Sequence, residues 1–118
     1  DRTLEPRSGG GCWDGGFVEI STDNGTTWTQ FTPAQVLQEP YTGALFDGAG
    51  NGRQAWCGTK AYSLTILDLN SFAGQTARFR VSTDGSVGNA PNGWYIDSVK
   101  VQSCNTGPAD TLFLNGFE

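Results

Sequence analysis

The side chains able to do chemistry in this chain are carboxylates, thiols and aromatic rings, because histidine is absent. That absence removes Ser-His-Asp and Cys-His nucleophile systems, His-containing zinc sites and imidazole acid–base chemistry. Asp14, Asp23, Asp47, Asp84 and Asp97 could in principle supply the carboxylate pair of a glycosidase. However, Asp14, Asp47 and Asp84 each precede a glycine, a setting in which aspartate forms turns. Cys12, Cys57 and Cys104 are too few and too widely spaced for a four-thiolate zinc site. They read as one disulfide and one remaining thiol, a usage suited to an oxidising compartment. Four tryptophans and three tyrosines suggest sugar stacking, and Trp13, Trp56 and Tyr41 are the candidates that fall in loop sequence. Trp13 and Trp56 each adjoin a cysteine, so their structural alternative is to cover a disulfide.

These residues must be positioned by a single compact unit, since 118 residues suffice for one domain. Seventeen glycines and five prolines with only 16% charged residues give the composition of a turn-rich β protein. A net charge of -5 repels a phosphate backbone and argues against a nucleic-acid partner. No apolar run approaches the roughly 20 residues of a membrane span. The opening DRTLEPRSGGG has no signal-peptide core, so a secreted, soluble chain with any export signal upstream is expected.

Alternation and turn signals predict strands at 16–22, 26–31, 61–69, 76–83 and 94–102. Phe17–Thr22 and Thr26–Phe31 flank Asp23-Asn24-Gly25 and read as a hairpin. The glycine-rich stretch 32–60 reads as an irregular crossover, with one helical turn after Pro33 and a short strand near Ala44–Phe46. In WYIDSVKVQ, Trp94 and Ile96 share one face, whereas Val99 and Val101 share the face of Asp97. Either a bulge falls near Asp97-Ser98, or Asp97 points into an apolar layer and needs a cation or several donors. After Cys104, a polar linker leads to Leu112, Phe113, Leu114 and Phe117, too apolar for a free tail and expected to dock.

Ser21-Thr22-Asp23-Asn24-Gly25-Thr26-Thr27-Trp28 matches the Asp box, S-x-D-x-G-x-T-W, and resembles the fold-stabilising hairpins of sialidases and other β proteins. Ser21, Asp23, Gly25, Thr27 and Trp28 are therefore expected to be structural. The overlapping Asn24-Gly25-Thr26 is also a glycosylation sequon. DGGFVEISTDNGTTW, LDLNSFAGQTARFRVSTD and GWYIDSVKV together resemble the jelly-roll accessory domains of immune inhibitor A peptidases, reelin subrepeats and MAM domains. The resemblance implies an all-β, antiparallel jelly-roll β-sandwich over residues 1–104 that lacks its N-terminal strands, followed by a linker and apolar tail at 105–118. It also marks Cys12, before the DGG turn, and Cys57, where relatives more often have serine, as the expected pair. Cys12 with Cys104 stays geometrically open.

The same resemblance implies a structural Ca²⁺ held by Asp97 and Glu5, with Asp14 or Asp1 completing the shell. The function expected is a non-catalytic, calcium-stabilised accessory or binding module of a secreted bacterial peptidase or surface protein. Its partner would be the parent hydrolase or the missing N-terminal strands. The alternatives are a carbohydrate-binding module and a cleaved C-terminal extension used in export or latency, the latter suited by the ending LFLNGFE.

Overall fold

A computed structural model describes residues 1–85 and 93–103. Ten strands occur among them: β1 (Arg2–Leu4), β2 (Asp14–Ser21), β3 (Thr29–Gln30), β4 (Val36–Gln38), β5 (Gly43–Ala44), β6 (Gln54–Ala55), β7 (Gly58–Lys60), β8 (Ile66–Leu67), β9 (Arg78–Gly85) and β10 (Gly93–Trp94). Two short 3₁₀ turns, Pro33–Gln35 and Asn70–Phe72, are the helical elements of the described residues. The fold is all-β, and every strand pair is antiparallel.

The spine is β2, whose eight residues pair in unbroken register with β9, from Asp14 opposite Gly85 to Ser21 opposite Arg78. On its other side β2 pairs with β3, which gives the order β3-β2-β9 and confirms the hairpin. Beyond β3, Gly16 and Trp56 bridge through two backbone hydrogen bonds, so the 54–57 segment continues that flank of the sheet. A second sheet runs β10-β1-β7, with Arg2 opposite both Trp94 and Lys60. Asp1 and Tyr95 extend it by exchanging two backbone hydrogen bonds.

Alternation along β2 divides the core. Phe17 joins Leu4, Cys12, Leu45, Ala55 and Cys57 in one cluster. Ile20 joins Phe31, Val36 and Trp56 in another, lined by Val18, Tyr41, Leu67, Phe72 and Trp94. Each cluster packs against one face of β2, as the period of two requires. Gly16 is needed between them because Trp94 presses against its backbone.

Several expected strands are shorter than predicted. Only Thr29–Gln30 of 26–31 is strand, and the turn after Pro33 gives way to β4 at Val36. In 61–69 only Ile66–Leu67 is paired, with Val36 opposite Leu67, while Tyr62 and Leu64 are 63% and 64% exposed. In 94–102 only Trp94 is strand, and Tyr95, Ile96, Val99 and Val101 are exposed. An alternating sequence becomes strand only where a neighbour takes up its backbone hydrogen bonds, and apart from the Asp1–Tyr95 and Gln35–Asp68 contacts the rest of these stretches find none among the described residues. Ser98 takes a left-handed conformation with φ 54°, which breaks the extended path at the place where parity pointed to a bulge.

Candidate functional site

The Ser21–Trp28 turn is built by one carboxylate. Asp23 Oδ1 accepts from the Ser21 hydroxyl at 2.7 Å and the Thr27 backbone N–H at 2.8 Å, and Oδ2 accepts from the Thr27 hydroxyl at 2.5 Å. Those bonds, led by the Thr27 hydroxyl and then the Thr27 N–H, favour the charged form and hold the Asp23 carboxyl at about 2. Gly25, at φ 88°, donates its N–H to Ser21 Oγ, and Trp28 Nε1 donates to the Gly25 carbonyl. Every donor around Asp23 is used within the turn.

Behind this turn lies a buried carboxylate. Glu19 is 3% exposed and receives Arg80 at 2.9 Å on Oε1 and Arg53 at 3.2 Å on Oε2. Arg80 stacks over Trp28 with 4.4 Å to the ring centroid, and Arg53 stacks over Phe17 with 4.0 Å. Gln30 Oε1 accepts from Arg53 Nε. Two cations and two rings thereby tie β2, β3, β9 and the 53–57 segment into one network. Sequence reading missed Glu19, because nothing in FVEIST distinguishes a buried glutamate from the solvated face of a strand.

Cys12 and Cys57 are disulfide-bonded, as the resemblance implied. The bridge is buried, and Thr42 Oγ1 closes the region by accepting from Cys57 N and donating to the Ala55 carbonyl. Arg2 Nε donates to the Cys57 carbonyl, and burial lowers its guanidinium from the ordinary value against the opposing pull of Glu39. Glu39 pairs with Lys60 at 2.8 Å, which holds its carboxyl below the usual range.

The candidate aromatic residues separate. Trp56 is 2% exposed, donates Nε1 to the Glu39 carbonyl and packs against Tyr41 and Trp94. Tyr41 is half-buried, with its hydroxyl donating to the Phe31 carbonyl. Trp56 presents no face to a sugar, because alternation turns it into the Ile20 cluster, whereas Tyr41 packs along the margin of that cluster and stays partly exposed. Trp13 is partly exposed and meets Phe46 edge to face at 5.1 Å. Arg7 lies 3.9 Å from the Phe46 centroid and 5.8 Å from that of Trp13. Phe46, 49% exposed, was not singled out from sequence, since its only mark is its place before the Asp47-Gly48 turn.

The carboxylates expected around a metal fall in two places. Asp1 pairs with Tyr95, two residues before Asp97. Glu5 lies past the opposite end of β1, where its carbonyl accepts from the backbone N–H groups of Trp13 and Asp14. Asp97 and Glu5 therefore extend in opposite directions from the β1–β10 pair, and this register does not fit them to one shell. Among the described residues no three His, Cys, Asp or Glu side chains come together as a metal cluster. Asp47, Asp84 and Asp97 each accept the backbone N–H of the next residue, but of the three Asp-Gly pairs expected in turns only Asp47-Gly48 lies outside a strand, because Asp14 and Asp84 are held in the paired ends of β2 and β9. Cys104 and the 105–118 tail lie outside the described residues. The chain matches no family model, no curated protein and no solved structure.

Proposed function

We propose that this chain is a non-catalytic accessory or binding module of a secreted protein, built on a jelly-roll β-sandwich with an Asp-box hairpin. The observation that carries the reading is the way its acidic groups are used. Asp23, Asp47, Asp84 and Asp97 each accept a nearby backbone N–H, and Glu19 is paired with two arginines. An acid–base pair needs carboxylates whose environments differ and which face a common reacting atom, and this usage supplies none. The buried disulfide agrees with an oxidising, extracellular setting.

Calcium enters the proposal as a stabiliser, with Asp97 and Asp1 as the pair on one side of the β1–β10 ladder and backbone carbonyls and water completing its oxygen shell. Bound there, it would hold the N-terminal segment against Trp94–Tyr95. A carbohydrate-binding role rests on the Trp13–Phe46 surface and is the second reading. Thermal unfolding in Ca²⁺ and in chelator tests the first reading, alongside hydrolysis assays on peptide and glycoside substrates. Reproducible turnover that Asp14→Asn or Asp84→Asn abolishes would overturn the non-catalytic assignment.

A further inference from the structure

Neighbouring strands fix which backbone groups of β9 face outward. Gly16 exchanges both backbone hydrogen bonds with Trp56, and the Val18 carbonyl accepts from the Phe31 N–H, so the even-numbered residues of β2 bond away from β9. The odd-numbered ones therefore bond toward it, and in the antiparallel register they face Arg78, Arg80, Ser82 and Asp84. That leaves the N–H and C=O groups of Phe79, Val81 and Thr83 on the outer edge, which has no strand partner among the described residues. Phe79 and Val81 share the sheet face of Ile20 and Val18, yet they are 42% and 48% exposed. An unpaired, partly apolar edge of this kind is a template for strand addition.

We infer that a second copy of this chain adds to that edge, β9 against β9, antiparallel about a two-fold axis at Val81. The charge pattern of RFRVSTD selects this partner and this register. With Val81 opposite itself, Phe79 meets Thr83, Arg80 meets Ser82, and Arg78 of each copy meets Asp84 of the other. The outward groups of Phe79, Val81 and Thr83 then face one another as hydrogen-bonded pairs. Arg78 and Asp84 fall in the non-hydrogen-bonded pairs, whose Cα atoms lie about 4.5 Å apart and whose side chains come closest. Arg78 is exposed, and the ion pairs among the described residues, those of Glu19 and Glu39, do not use it. Arg80 stays with Glu19 and finds a neutral serine opposite. Other registers are worse matched. An axis at Phe79 sets Arg78 against Arg80, one at Arg80 sets that residue against its own copy, and one at Ser82 or Thr83 carries Arg78 past the end of the second strand. On the opposite face, Val18 and Val81 of the two copies line up as one row across the axis, which covers the exposed valine with its equivalent. The contact closes at two copies, because each spends its β9 edge on the other.

Amide hydrogen exchange in the full chain reads the contact residue by residue. Raising the protein concentration about a hundred-fold should slow exchange of the Phe79, Val81 and Thr83 amides by about ten-fold or more. The Arg80 and Ser82 amides, bonded to β2, are the control for folding and should not change. Sedimentation equilibrium over the same range should report a monomer and a dimer. Val81→Lys, which sets two cations together on the axis, should leave the chain folded and monomeric. Arg78→Asp and Asp84→Arg chains should each dimerise about ten-fold or more less tightly than the native chain, and the two mixed should pair with each other, since only the mixture sets opposite charges together. A native chain that stays monomeric, with the Phe79, Val81 and Thr83 amides exchanging freely, overturns the inference. So does protection of those amides that ignores concentration, which assigns the edge to the chain itself, or a dimer that Val81→Lys leaves intact. A mixture that pairs no better than its two components also overturns it.

Discussion

The indole of Trp94 occupies the space that a side chain at Gly16 would need, since a Cβ built on Gly16 falls 2.3 Å from Trp94 Cε3. Trp94 pairs through its backbone with Arg2, so this one contact locks the second sheet onto the spine of the first. Gly16→Ala should destabilise the fold by about 1–3 kcal/mol through overpacking. A chemical-denaturation curve checks this, and Gly52→Ala serves as the comparison. Gly52 has open space around it, so any cost there comes from its positive φ alone.

The Cys12–Cys57 bridge closes a loop across a sequence separation of 45. On the chain-entropy model this is worth on the order of 3–4 kcal/mol. Cys12→Ser with Cys57→Ser should lower the melting temperature accordingly. Peptide mapping without reduction should yield the Cys12–Cys57 pair, and a peptide joining Cys12 to Cys104 would contradict it.

Asp23 titrates at about 2 in the folded chain, below its ordinary 3.8. A depressed carboxyl contributes stability that is present above the unfolded value and lost as the pH falls through the folded one. The gap in melting temperature between the native chain and Asp23→Asn should therefore be constant from pH 7 to about 5 and close between about pH 4 and 2. A gap that persists unchanged at pH 2 would show that the carboxylate charge is not what holds the turn.

Glu19 is buried, but its partners Arg53 and Arg80 are partly exposed and can be rehydrated when it is lost. Glu19→Ala should cost about 1.5–3 kcal/mol, the range for charge-assisted hydrogen bonds. Arg80→Ala should cost less, because Arg53 still neutralises Glu19. A double-mutant cycle on Glu19 and Arg80 should give a non-zero coupling energy.

If Asp97 helps hold calcium, added Ca²⁺ at a hundred times its dissociation constant should stabilise the fold by about 2.7 kcal/mol, and chelator should remove that gain. Asp97→Asn should abolish the difference and Asp84→Asn should leave it. A melting temperature indifferent to chelator would leave Asp97 as a cap on Ser98 alone.

Much of this molecule was written in local sequence. The turn chemistry of Asp23-Asn24-Gly25 with alternation on both sides specified the β2–β3 hairpin, and TARFRVST specified β9, because period and turn residues act within a few positions. The resemblance pointed to the Cys12–Cys57 pair, which composition alone had left open. Other features depended on what lies across the fold. AYSLT alternates as well as β2 does and YIDSVKV alternates on either side of Asp97-Ser98, yet they lie exposed, since a strand exists only with a partner for its hydrogen bonds. Trp13 and Trp56 each adjoin a cysteine, and only the tertiary fold left the first partly exposed beside Phe46 and sent the second into the core. The resemblance singled out Glu5, whereas nothing in the sequence marked Glu19. Tertiary packing buried Glu19 between two arginines and left Glu5 exposed, because an ion pair is decided by residues distant along the chain.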